Sequence, residues 1–184
     1  MTSQAEVLRK LLSALAESGA EYMIVGSFAA SVHGFTRATH DVDIVLSIPP
    51  ESVSDLARAL GGDFFMDEKS ARSAIARKDM FNVIHLDAGV KVDFWPLEDD
   101  DFRRTQFSRR IKVAFDGVDA FVASAGDTVL SKLLRHHEAP SDRHLSDVRG
   151  ILAAGADDLD WSYLDSWAER LGLTDLLREM SESL

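Results

Sequence analysis

Apolar positions along the chain follow two rhythms, one of period 3.6 and one of period 2. Ser3 with Glu6 reads as a capping box, and Val7, Leu8, Leu11, Leu12 and Leu15 then repeat at helical spacing up to Gly19. The run YMIV at 22–25 is bulky or β-branched and too short for a buried helix, so it predicts a strand. Gly26-Ser27 opens a small-residue helix that Gly34 closes, and 41–47 forms a second strand ahead of Pro49-Pro50. A helix over 52–60 stops at Gly61-Gly62. Residues 63–79 are mixed, with a short strand at 64–65 followed by the basic, Ser/Ala-rich stretch ARSAIARK.

Strict alternation returns at 81–86 and 90–95 around Asp87-Ala88-Gly89, and at 111–115 and 118–122 around Asp116-Gly117. Both pairs predict β-hairpins, the second on the strongest short turn signal. Between them, 98–109 is a charged helix or loop. From Ala125 the pattern is helical throughout, over 128–137, 145–154, 161–171 and 174–180. The expected layout is an α/β core over 1–123 followed by a helical segment over 124–184. No internal repeat or low-complexity tract interrupts it.

Composition narrows the picture. A chain of 184 residues suits one domain, or a core with a helical appendage, and can bury a core without staples. Having no Cys, it can form neither disulfides nor thiolate metal sites. A net charge of −11 argues against extended nucleic-acid binding, which needs clustered Lys and Arg. Local basic clusters at Arg103-Arg104, at Arg109-Arg110 and over 135–149 leave room for one RNA end. The N-terminus lacks a basic-then-apolar signal and no apolar run approaches membrane-spanning length, so a cytoplasmic protein without membrane contact is expected.

Candidate chemistry concentrates in the first third. Gly26 permits a tight turn, Ser27 is placed to cap the helix, and the amides of a helix N-terminus suit phosphate. Asp41 and Asp43, two apart on a strand, point to one face. Paired carboxylates beside a phosphate cradle are what Mg²⁺-dependent phosphoryl or nucleotidyl transfer requires. Asp93, between Val92 and Phe94 on a later strand, either faces solvent or shares that site, since unpaired burial is costly. Trp95, Trp161 and Trp167 read as packing residues. His136, His137 and His144 read as charge complements to a helix end, lacking the spacing of a metal cluster.

Gly26-Ser27, Asp41-x-Asp43 and the later Asp93 together resemble the nucleotidyltransferase superfamily that shares the polymerase-beta palm. With Arg37-x-Thr39 ahead of the aspartates, the chain is most similar to the minimal and abortive-infection (AbiEii-like) toxin nucleotidyltransferases. Lys91-Val92-Asp93 matches a Lys-x-Asp pattern of that family. Ser131-Lys132 and the stretch from Arg143 to Asp147 match later motifs in part, with Ser131 in place of Glu and Ser146 in place of Lys. The resemblance implies a mixed-sheet palm with helices on one side and a C-terminal helical segment. It implies transfer of NMP from an NTP, ATP included, to a hydroxyl acceptor, releasing pyrophosphate. Asp41, Asp43 and Asp93 would be the catalytic, Mg²⁺-binding residues. Gly26, Ser27, Arg37, Thr39, Lys132 and Asp147 would contact the nucleotide. The acceptor is left open among a small molecule, a protein side chain and a tRNA end. A rival expectation is a catalytically silent nucleotide-binding or toxin–antitoxin interaction module of the same fold.

Overall fold

A computed structural model describes residues 2–34 and 41–182. The chain divides into two compact units, Met1–Ile24 with Thr39–Val122, and Val25–Ala38 with Ala123–Leu184. The second unit thus joins the C-terminal helices to an early segment of the chain.

The first unit is built on a mixed seven-stranded sheet in the order β3-β4-β5-β2-β1-β7-β6. Its strands are β1 (Glu21–Val25), β2 (Val42–Ser47), β3 (Phe64–Phe65), β4 (Phe81–His85), β5 (Lys91–Pro96), β6 (Ile111–Phe115) and β7 (Val118–Val122). Both expected hairpins form, β4 with β5 and β6 with β7, each antiparallel. At the second turn Asp116 and Gly117 take φ of 45° and 80°. Positive φ at both central residues is the turn whose twist matches paired strands. The long-range pairings of β2 with β5 and of β1 with β7 are parallel.

Helix α1 (Gln4–Glu17) is capped as its sequence requires, the Glu6 amide donating to Ser3 Oγ at 3.2 Å. Its apolar stripe, Val7, Leu8, Leu11, Leu12 and Leu15, is buried, as are Val53, Leu56 and Leu60 of the adjoining helix over 53–60. Burial of this kind, at about 25 cal/mol per Å² of apolar surface, is what sets a stripe against a sheet. The weakly periodic stretch ARSAIARK lies, up to Arg77, in a helix (Glu68–Arg77) whose N-cap, Asp67, accepts from the Ser70 amide at 2.6 Å, with Lys78 as its C-cap. The charged stretch 98–109 holds another helix (Asp101–Ser108), capped by Asp100.

The second unit is helical. Label α2 the short helix Gly26–Val32, α6 the helix Ala125–Glu138, α7 Asp142–Gly155, α8 Trp161–Leu171 and α9 Thr174–Glu182, with the helices over 53–60, 68–77 and 101–108 as α3, α4 and α5. Leu130, Leu133, Ile151, Leu152, Leu164, Leu177 and Met180 form its core. Gly34, at φ 99°, ends α2 closely packed on α7: a Cβ added there would lie 2.4 Å from the Ala154 Cβ. Tyr163 Oη donates to Asp127 Oδ1 at 2.6 Å, tying α8 to the first turn of α6.

Candidate active site

Strand alternation decides which residues of the first unit face outward. In β2 the side chains of Val42, Ile44 and Leu46 are buried, which turns Asp43 to the opposite face. In β5 Val92, Phe94 and Pro96 are the inward set, and Lys91, Asp93 and Trp95 face out. In β4 Phe81, Val83 and His85 go in and Asn82 and Ile84 out. The inner faces are held together by packing such as the stacked rings of Phe81 and Phe94, 5.2 Å apart.

Register then brings the polar residues into one row. Parallel pairing sets Asp43 directly beside Asp93, and antiparallel pairing sets Asn82 on the other side of Asp93. The row Asn82, Asp93, Asp43 thus crosses three strands. Asn82 Nδ2 donates a short hydrogen bond to Asp93 Oδ1. Lys91 Nζ makes an ion pair with Asp93 Oδ2 at 3.0 Å. Trp95 Nε1 donates to Asp43 Oδ1 at 3.4 Å. The Asp93 side chain keeps 14% of its surface exposed and Lys91 keeps 44%. Asp41 is exposed, one residue ahead of β2. The Lys91 ammonium is held above its ordinary pKa, first by its hydrogen bond to Asp93 and the charge of that carboxylate, then by Asp41 and Asp43. All three carboxylates therefore act on a single point of positive charge.

Among the described residues no group of three or more His, Asp or Glu side chains is disposed to hold a metal ion. The donor chemistry nonetheless suits one hard cation. Carboxylate oxygens on a solvent-reached face are Mg²⁺ ligands, and Mg²⁺ characteristically takes one or two protein carboxylates, the rest of its shell being water and substrate phosphate. Asp43 and Asp93 would supply those two.

In the second unit Gly26, at φ 69°, makes the turn directly after β1 that a side chain would strain. The expected Ser27 cap is displaced: the cap position is Val25, two residues earlier, and Val25 makes no side-chain cap hydrogen bond. Ser27 sits in the first turn, where its carbonyl accepts from Ser31 Oγ at 3.0 Å. Lys132 and Asp147 meet in a buried ion pair at 2.5 Å, their side chains 7% and 1% exposed. Beside them His144 is held below its ordinary pKa, chiefly by burial and next by the Lys132 charge. Arg37 and Thr39 lie outside the described residues.

Sequence reasoning missed Asn82, gave Lys91 no role beyond a motif match, and misplaced Trp95, which is 36% exposed and bonded to Asp43 rather than packed inside. A signal for Asn82 existed. A hairpin turning at 87–89 sets residues summing to 175 opposite each other, as the Phe81↔Phe94 and Asn82↔Asp93 pairs do.

Comparison with known proteins decides the family. The profile described as "Nucleotidyltransferase of unknown function (DUF6036)" matches residues 4–179. The chain belongs to this nucleotidyltransferase family. A search of curated proteins found no match. Among solved structures, the chain is similar in fold to an antigenic nucleotidyltransferase-like protein from Paracoccidioides brasiliensis, with TM-score 0.55 and 16% identity over 82% of this chain and 74% of that one. The antibiotic-resistance factor ANT(2'')-Ia matches with TM-score 0.53 and 15% identity, over 96% of this chain and 97% of its own. JHP933 from Helicobacter pylori matches with TM-score 0.52 and 11% identity, over 100% and 94%. At these identities the likeness is one of fold. Among the described residues no helix is long and apolar enough to cross a membrane.

Proposed function

We propose that this nucleotidyltransferase moves NMP from an NTP to a hydroxyl acceptor, with Asp43 and Asp93 as the cation-binding pair and Asp41 as a third carboxylate beside them. The observation that carries the reading is the register match of Asp43 with Asp93 on the outward face of parallel strands, in a chain of nucleotidyltransferase family. A bound Mg²⁺ would neutralise phosphate charge and orient the α-phosphorus for in-line attack.

The chain's own residues do the positioning. Asn82 fixes the Asp93 carboxylate by one oxygen, and Trp95 steadies Asp43. Gly26 and Ser27, at the start of α2, receive phosphate on backbone amides, as helix N-termini do. As the acceptor oxygen bonds to the α-phosphorus, the bond to the β-phosphate oxygen breaks and pyrophosphate departs. The hydroxyl proton passes to solvent water. Catalysis in such a site is positioning plus charge neutralisation, so a single carboxylate weighs heavily.

The test is incubation with each labelled NTP, Mg²⁺ and an acceptor panel of antibiotic hydroxyls, protein and tRNA ends, followed by sizing of the labelled product. Wild type labels one acceptor class and Asp43→Asn labels none while melting as wild type does. An active Asp43→Asn variant overturns the mechanism. A second reading, nucleotide binding without turnover within a toxin–antitoxin module, draws on the Lys132–Asp147 pair, whose charges are committed to each other. Mg²⁺-dependent NTP binding with no pyrophosphate release on any acceptor selects it.

A further inference from the structure

Two carboxylates directly opposite on neighbouring strands, about 4.8 Å apart in backbone spacing, repel one another unless a positive charge intervenes. This chain carries that charge itself. Lys91 lies two residues before Asp93 on the same strand, hence on the same face, and its Nζ reaches Asp93 Oδ2 at 3.0 Å. Asn82 occupies the other oxygen. The two donors differ in kind. Asn82 is neutral, short and fixed on the paired strand, so it orients the carboxylate whatever else binds. Lys91 is charged, sits on a flexible four-carbon stem and is 44% exposed, so its ammonium can leave for solvent at small cost.

We propose that Lys91 is a built-in counter-cation that occupies Asp93 until a divalent ion displaces it, and so sets the affinity of the Asp43–Asp93 pair for metal. The inference rests on the reading of Asp43 and Asp93 as cation ligands. A divalent ion arriving alone must expel an ammonium and gains only the difference in attraction. An ion arriving with a nucleotide brings anionic oxygens that also attract the displaced ammonium. Lys91 thereby disfavours idle metal loading and couples it to the presence of triphosphate. It is a positioning residue, with no contact to the reacting atoms required.

The experiment measures Mn²⁺ binding to the nucleotide-free protein, by the paramagnetic resonance signal of the free ion, in wild type, K91M, K91Q, K91R and K91M/D93N. K91M and K91Q bind Mn²⁺ roughly threefold to tenfold more tightly, the scale of one solvent-reached ion pair plus the relieved repulsion. K91R, which keeps the charge, stays within about twofold of wild type. K91M/D93N loses the gain. Unchanged or weaker Mn²⁺ binding in both K91M and K91Q, or a gain that survives loss of Asp93, overturns the proposal. Two further outcomes separate it from the transfer reading. A wild type that transfers nucleotide while K91M binds Mn²⁺ no more tightly defeats the counter-cation and leaves the transferase standing. Tighter, Asp93-dependent Mn²⁺ binding in K91M, with no transfer by wild type to any acceptor, does the reverse.

Discussion

Replacing Asp147 with Leu removes one partner of the buried ion pair and leaves the Lys132 ammonium without its carboxylate, in a position where the Lys132 side chain is 7% exposed. Breaking such a pair costs about 3–5 kcal/mol, because the remaining charge keeps its desolvation penalty and loses the attraction that offset it. For a chain of this length each kcal/mol moves the melting temperature by about 2–4 °C, so Asp147→Leu melts roughly 6–20 °C lower. The double variant Lys132→Met with Asp147→Leu removes both charges at similar volume and returns to within about 1–2 kcal/mol of wild type. Urea denaturation of the four proteins of the cycle gives the coupling directly. The same double variant also separates architecture from chemistry. If Lys132 serves only the packing of α6 against α7, NMP transfer survives; if it also contacts phosphate, transfer falls about a hundredfold or more in a protein that is still folded. A loss below about 1 kcal/mol for Asp147→Leu would refute the reasoning, because it would mean that the ammonium is solvated in the folded state.

Other positions give independent checks. Asn82→Ala lowers transfer, or Mn²⁺ affinity, about 10- to 100-fold with little change in melting, as expected of a residue that orients a ligand carboxylate. Gly34→Ala destabilises by about 2 kcal/mol or more in urea unfolding, since φ 99° disfavours a side chain and the new Cβ meets Ala154 at 2.4 Å. Adding Ala154→Gly relieves the collision and leaves the backbone strain, so rescue is partial. His144 has a folded-state pKa below its ordinary value of 6.5, so the unfolded chain binds the proton more readily. Its contribution to stability is present above pH 6.5 and is lost as pH falls through the lower, folded value. His144→Gln flattens that part of the stability–pH curve.

Local signals in the sequence carried most of the fold. The turn Asp116-Gly117 and the alternation around 87–89 dictated two hairpins, and Ser3 with Glu6 dictated the start of α1, because each depends on residues a few positions apart. The helix over 68–77 is faint in the sequence because its face toward the protein is built of Ala71, Ala74 and Ile75, which barely stand out from Ser and Arg neighbours. Ser27 has the side chain a cap position favours, whereas the glycine turn lets the helix start at Gly26. For the candidate site, Asp43 and Asp93 stand out in the sequence as carboxylates that could share one face, but the register that sets them side by side does not. They are 50 residues apart, and a parallel register is set by packing of the inner residues Val42, Ile44, Val92 and Phe94 rather than by any turn. Lys132 and Asp147 were recognisable as charged helix residues, but their burial against each other depends on how α6 meets α7.

Asn82, Lys91, Asp93 and Trp95 all ride on a single hairpin, so the polar cluster is inherited as a block. Deleting one residue of β5 ahead of Asp93 would flip the rest of that strand against Asn82, sending Asp93 inward and Phe94 into water, whereas lengthening the tip over 86–90 would leave every side chain on its own face. Chemistry on this sheet is therefore sensitive to parity within the strand and tolerant of length at its end, and loop grafts at that tip are the safest way to attach new binding segments beside the carboxylates.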